Sequence, residues 1–285
     1  MDTRVPQQEE VKDNEKRKNK TRRFCYGASV VLVAGGGKGG KGKRKIVRPD
    51  EVTGEATKTE GFRVAFKKEI GSWEKFKTFA REKWEPGMPI PLGTRTMYKW
   101  KDLEGGEKTE KCRICIQGCN DPAKDSLSCS SPTVSKASWR MCLVVASMYG
   151  WISHSLDVKT AFLQGVPLER LVYIRPPRDA GGKEGIVWRL LKAVYGLVDA
   201  PDHWYRMVVQ ILVRELGMEK CPWDGGLFIL KGNGKLKGIL STHVDDFWWA
   251  GDKDMVGLIE EVGKKVEVGS ECVGNFLYAG LRVKD

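Results

Sequence analysis

The alternation of hydrophobic and polar positions divides the chain into three stretches. Within residues 62–84, Ile70, Trp73, Phe76, Phe79 and Ala80 recur at helical spacing, which predicts an amphipathic helix ended by Pro86-Gly87. Residues 94–101 and 111–117 alternate with a two-residue period on either side of Glu104-Gly105-Gly106. That pattern predicts a β-hairpin with Arg95, Lys99, Lys111 and Arg113 on one extended ribbon. Residues 136–149, with Trp139, Leu143, Val144 and Met148, predict a helix stopped by Gly150. Further on, 151–158, 171–174 and 186–190 read as strands, and 201–216 as a helix with Gly217 as its stop. Residues 228–230 and 236–243 flank the turn signal Gly232-Asn233-Gly234 as a second hairpin. A strand at 247–250, a helix at 254–265 and a closing strand at 276–283 complete the series. Strands and helices mix without a βαβ repeat, so the expected class is α+β.

Residues 1–48 carry no such pattern. They are polar and charged and run into a Gly/Lys stretch at 35–45, so residues 1–60 are expected to form a disordered basic tail. The whole chain of 285 residues has a net charge of +12, and residues 1–48 hold 14 Lys+Arg against 5 Asp+Glu. Most of the positive excess therefore sits in the tail, which offers sequence-independent attraction to a polyanion. No apolar run reaches the roughly 18–20 residues of a membrane span. The longest, 24–34, follows Glu9, Glu10, Asp13 and Glu15, unlike the basic start of a signal peptide, so an intracellular location is expected, cytoplasmic or nuclear. Eight Cys without a framework point to reduced thiols.

Two motifs invite a functional reading and fall short of it. The run Gly35-Gly36-Gly37-Lys38-Gly39-Gly40-Lys41-Gly42 approaches a phosphate-binding loop, yet Gly42 stands where the magnesium-holding hydroxyl belongs. A basic linker is the expectation, against a phosphohydrolase. Cys112, Cys115, Cys119 and Cys129 superficially suggest zinc or an iron–sulfur cluster. Cys112 and Cys115, three apart in a predicted strand, should point to opposite faces.

The sharpest chemical signal is His243-Val244-Asp245-Asp246 between two apolar strands. Read alone, it is a tight turn, since Asp is a common turn residue. Asp157 leaves another predicted strand, and three carboxylates gathered on one side of a sheet could hold paired magnesium ions.

Residues 73–284 resemble the reverse transcriptase of copia-type long-terminal-repeat retrotransposons. The resemblance rests on motifs in order: Ile90-Pro91-Leu92-Gly93-Thr94-Arg95; Lys111-Cys112-Arg113-Ile114-Cys115-Ile116-Gln117-Gly118; Ser155-Leu156-Asp157-Val158-Lys159-Thr160-Ala161-Phe162-Leu163-Gln164-Gly165; Val172-Tyr173-Ile174-Arg175-Pro176-Pro177; the block from Leu190 to Tyr205; and His243-Val244-Asp245-Asp246. It implies a right-hand fingers–palm polymerase, with fingers at 61–150, palm at 151–285 and the thumb truncated or absent. It implies an RNA-directed DNA polymerase using Mg2+, with Mn2+ as a substitute, on a primed RNA or DNA template and deoxynucleoside triphosphates. By position, Asp157 and Asp245 would be the principal catalytic metal ligands, with Asp246 beside them. Phe162 would screen the 2′ position, Lys111 and Arg113 would meet the triphosphate, and Tyr195 and Gly196 would line the nucleotide pocket.

Departures from the pattern leave an alternative open. The family's Tyr is His243, its Gly-Leu-Lys-Gln-Ala-Pro-Arg reads Gly196-Leu197-Val198-Asp199-Ala200-Pro201-Asp202, and its Phe-Leu-Gly reads Phe276-Leu277-Tyr278-Ala279-Gly280. Asp199 and Asp202 should oppose nucleic-acid phosphates in a cleft. The alternative is a degenerate fragment that binds nucleic acid without polymerising.

Overall fold

The structure, a computed structural model, describes residues 51–102, 106–181 and 184–284. Its first third holds β1 (Glu51–Val52), α1 (Glu60–Lys75), β2 (Phe79–Lys83), β3 (Thr94–Asp102) and β4 (Lys108–Ile116). Then come α2 (Lys136–Tyr149), β5 (His154–Val158), β6 (Tyr173–Ile174), β7 (Ile186–Leu190) and α3 (Ala200–Val209). The last part holds β8 (Glu219–Lys220), β9 (Leu227–Gly232), β10 (Lys235–His243), β11 (Asp246–Gly251), α4 (Lys253–Lys265), β12 (Val268–Val273), β13 (Asn275–Tyr278) and β14 (Leu281–Lys284). Helices and largely antiparallel sheets mix as the α+β class requires. Among the described residues no helix is long and apolar enough to cross a membrane.

The central sheet has the order β12-β5-β11-β10-β9-β8. Side chains alternate across it. Leu156, Val158, Leu240, Phe247 and Trp249 meet α3 and α4 on one face. Ile239, Trp248 and Ala250 meet α2 and the β13–β14 hairpin on the other. A third cluster joins Phe66 and Trp73 of α1 to Cys112, Ile114 and Ile116 of β4, and to Ile174, Trp188 and Leu190. These cores cut across a division at residue 150: α2 packs on the central sheet, and residues between 163 and 200 pack with α1 and β4.

Local chemistry explains the hairpins. Asn233 and Gly234 both take positive φ (51° and 73°) between β9 and β10, the two-residue turn whose twist matches its strands. β3 and β4 pair from Thr94↔Ile116 to Asp102↔Lys108 as expected, with residues 103–105 outside the described set. In that register Arg95, Lys99, Lys101, Lys111 and Arg113 share one face, and Cys112, Ile114 and Ile116 the other. Cys115 lies on the basic face, opposite Cys112.

Four expectations need correction. The helix read through residue 84 stops at Lys75: Lys77 takes φ 51°, the Thr78 hydroxyl donates to the Trp73 carbonyl at 3.0 Å, and Phe79–Lys83 pairs with β7. Phe79 and Ala80 fit a helical period, but stacking of Phe79 on Trp188 (3.9 Å between ring centres) rewards the extended form. The closing strand is two strands, because Ala279 and Gly280 turn the chain at φ 47° and 79°. β12 occupies a sheet edge where no strand was expected. Finally, Glu51 and Val52 pair with Lys99 and Tyr98, inside the stretch expected to be a tail. Residues 1–50, which hold most of that tail with its Gly/Lys run and the apolar run at 24–34, lie outside the described residues.

Candidate active site

β5 and β11 lie side by side with Asp157 directly opposite Asp246. Leu156 and Val158 face α3 and α4, so the intervening Asp157 is directed to the other face, and Asp246 shares that face with Trp248 and Ala250. Asp245 sits in the two-residue turn joining β10 to β11, exposed, and its carbonyl accepts the Val158 N–H at 2.9 Å. The tight-turn reading and the acidic-site reading thus describe the same turn. Val244, β-branched, holds φ 62° there, a conformation that costs on the order of 1–3 kcal/mol and persists only where its surroundings enforce it. Buried Trp204 does so: its Nε1–H donates to the Val244 carbonyl at 2.7 Å.

The electrostatics record the crowding. Burial, then Asp245, raise the Asp157 carboxyl above its ordinary value, while Lys101, Lys111 and Lys159 pull it back. Burial, then Asp245 and Asp157, push Asp246 up to about 6, with His243 opposing. Lys111 is lowered by burial and by its neighbours Arg113 and Lys101. The basic hairpin face therefore stands within electrostatic reach of the acidic pair.

A folded-state carboxyl raised from 3.8 to about 6 keeps its proton where the unfolded chain has lost it. Its stabilising contribution is complete below pH 4 and disappears as pH rises through 6. We expect metal-free wild type to lose more stability across that window than Asp246→Asn, in which only the raised Asp157 carboxyl of the pair is left to titrate. After allowance for solvent screening, the variant should be more stable by about 1–2 kcal/mol at pH 7. Thermal melts of both proteins from pH 4 to 7.5 test this; parallel curves would contradict it.

Donor chemistry fits magnesium: hard carboxylate oxygens gathered at the end of a sheet. Among the described residues no three His, Cys, Asp or Glu side chains form a ready cage. Magnesium is commonly held by one or two carboxylates together with water and substrate phosphates, so a closed cage is not required.

The other sequence candidates are also gathered nearby. Phe162 lies in the short 3-10 segment Ala161–Gln164 after β5 and meets Tyr195 edge-on, ring centres 5.5 Å apart. The Arg113 guanidinium stands 4.5 Å from the centre of the Tyr195 ring. Gly196, at φ 95°, touches the protein's own backbone: a Cβ there would lie 2.2 Å from the Ile116 carbonyl oxygen. Asp199 requires correction. It is buried and held by Arg170, Nε to Oδ2 at 2.9 Å and Nη2 to Oδ1 at 3.2 Å, and Arg170 also binds buried Asp121 at 2.8 Å. Its carboxylate is held internally in an ion pair rather than presented to a phosphate. Asp202 accepts from Ser128 at 3.1 Å.

Sequence reasoning missed four residues of this region: Trp204, Arg170, Asp121 and Gly269. The β5–β12 register shifts between Val268 and Glu271, and a Cβ on Gly269 would stand 2.4 Å from Oδ2 of Asp157. No local pattern marks Gly269, because the group it makes room for comes from a distant strand.

Residues 84–271 match the family model described as reverse transcriptase (RNA-dependent DNA polymerase). The chain is 30% identical over 206 residues to the retrovirus-related Pol polyprotein from transposon RE1 of Arabidopsis thaliana, and 29% identical over 206 residues to that from transposon RE2. It is 30% identical over 181 residues to the Pol polyprotein from transposon TNT 1-94 of Nicotiana tabacum. These alignments cover 70%, 70% and 60% of the chain and 14% of each relative. With the matched region enclosing both acidic strands and the basic hairpin, the chain belongs to the reverse transcriptase family, and its relatives are copia-type retrotransposon Pol polyproteins.

Proposed function

We propose that this domain is an RNA-directed DNA polymerase of fingers–palm build, adding deoxynucleotides to a primer on an RNA or DNA template. The observation that carries the reading is the register pair Asp157↔Asp246, with Asp245 in the adjoining turn and the basic face of β3–β4 in electrostatic reach. The primer 3′-hydroxyl gives up its proton to water as its oxygen attacks the α-phosphorus of the incoming triphosphate, the bond from that phosphorus to the α–β bridging oxygen breaks, and pyrophosphate leaves with the displaced charge. Asp157 and Asp245, with Asp246 beside them, would hold the two divalent cations, Mg2+ or Mn2+, which when bound supply Lewis-acid stabilisation of the attacking and leaving oxygens. Lys111 and Arg113 bind the triphosphate, the latter with a guanidinium suited to bidentate phosphate contact. Phe162 screens the sugar, and Tyr195 and Gly196 line the nucleotide pocket.

The degenerate-fragment reading loses part of its support, since Asp199 is buried in an ion pair with Arg170; Val198 and His243 still favour it. Primer extension on a homopolymer RNA template decides between the two. Polymerase action requires incorporation that depends on template and on Mg2+ or Mn2+. Duplex binding with no incorporation in either metal would leave the binding-only fragment.

A further inference from the structure

If Phe162 discriminates between sugars, something must hold its ring in place, and identifying that support rests on the polymerase reading of the site. Phe162 is half-buried at the seam between two cores, on a single 3-10 turn that does little to restrict its side chain. Its ring leans edge-on against Tyr195 at an interplanar angle of 63°. Tyr195 itself is fixed twice by the same strand. Its carbonyl accepts the Ile116 N–H at 2.7 Å, with Gly196 allowing that close approach, and Arg113 of β4 covers its ring. A ring that must refuse one hydroxyl group works only if its position is held to a fraction of an ångström.

We infer that Tyr195 is the positioning residue of the sugar gate: braced by β4, it fixes the ring of Phe162 where a ribonucleotide's 2′-hydroxyl would clash. Arg113 thereby links the triphosphate contact to the gate, since the guanidinium that meets phosphate also steadies Tyr195.

The test measures the affinities of dATP and ATP for the protein bound to a primer–template duplex whose dideoxy-terminated primer blocks transfer. Tyr195→Leu should lower the preference for dATP over ATP by about tenfold. Tyr195→Phe, which keeps the ring, should retain that preference. In the Phe162→Val background, Tyr195→Leu should add little further loss, because both act through one contact. If Tyr195→Leu does not fold, Tyr195→Trp serves: its larger ring displaces Phe162 and should also lower the preference. An unchanged preference in the folded variant overturns the inference and leaves the polymerase reading standing. Equal wild-type affinity for dATP and ATP overturns it too, by removing the gate; the polymerase reading is then judged separately by primer extension.

Discussion

On the polymerase reading, Asp157→Asn and Gly269→Ala are both expected to cripple primer extension while leaving the protein folded. The first removes a carboxylate that would serve as a metal ligand. Its carboxyl is already raised by burial and by Asp245, so a neutral amide relieves repulsion, and the melting midpoint near pH 7 should hold or rise. Incorporation should fall to background. The second change touches no charge. A Cβ on Gly269 would lie 2.4 Å from the Asp157 carboxylate and 3.2 Å from its backbone oxygen, so the carboxylate must rotate away. Displacing a reacting group by about 1 Å can reduce the rate about 100-fold, which is the loss expected for Gly269→Ala. Single-turnover extension together with thermal melts checks both variants. A Gly269→Ala protein extending primers at the wild-type rate would show that the Asp157 position is not critical.

Arg170→Met should be the most destabilising substitution away from the acidic turn. Arg170 bridges two carboxylates whose side chains are each 4% exposed, Asp121 after β4 and Asp199 at the start of α3. Removing the guanidinium leaves two like charges buried without a partner, and breaking such a set costs about 3–5 kcal/mol. The test is whether charge or packing is responsible. Arg170→Met combined with Asp121→Asn and Asp199→Asn should recover most of the lost stability in urea denaturation, because no unpaired charge remains. If the triple variant is as unstable as Arg170→Met alone, packing of the Arg170 stem dominates and the ionic account fails. Asp199 sits at the α3 N-cap yet makes no capping hydrogen bond with its side chain; both oxygens are held by Arg170.

Elements governed by local chemistry were legible before any fold was known. The Asn233-Gly234 turn, the Gly150 stop of α2 and the alternation in β3 and β4 depend on neighbours a few residues away. The adjoining strands of the acidic turn were readable for the same reason. Phe79–Lys83 was not: its residues fit a helix, and only the Trp188 ring and the β7 backbone draw them into a strand. Nor was the face of α2. Val144 and Met148, which mark its periodicity, are exposed, whereas Trp139, Cys142 and Ala146 make its contact with the sheet.

For the site the division is similar. The order of residues sets which groups are present: three aspartates, a basic ribbon, an aromatic five residues after Asp157, and the order of motifs that marks the family. Packing of the sheets places Asp157 opposite Asp246, leaves room beside Gly269 for the Asp157 carboxylate, and pairs Arg170 with Asp199. The physical reason is that strand register and buried charge pairing are set by groups far apart in the chain. Their free energies depend on desolvation and close contact, which exist only once the sheets have packed.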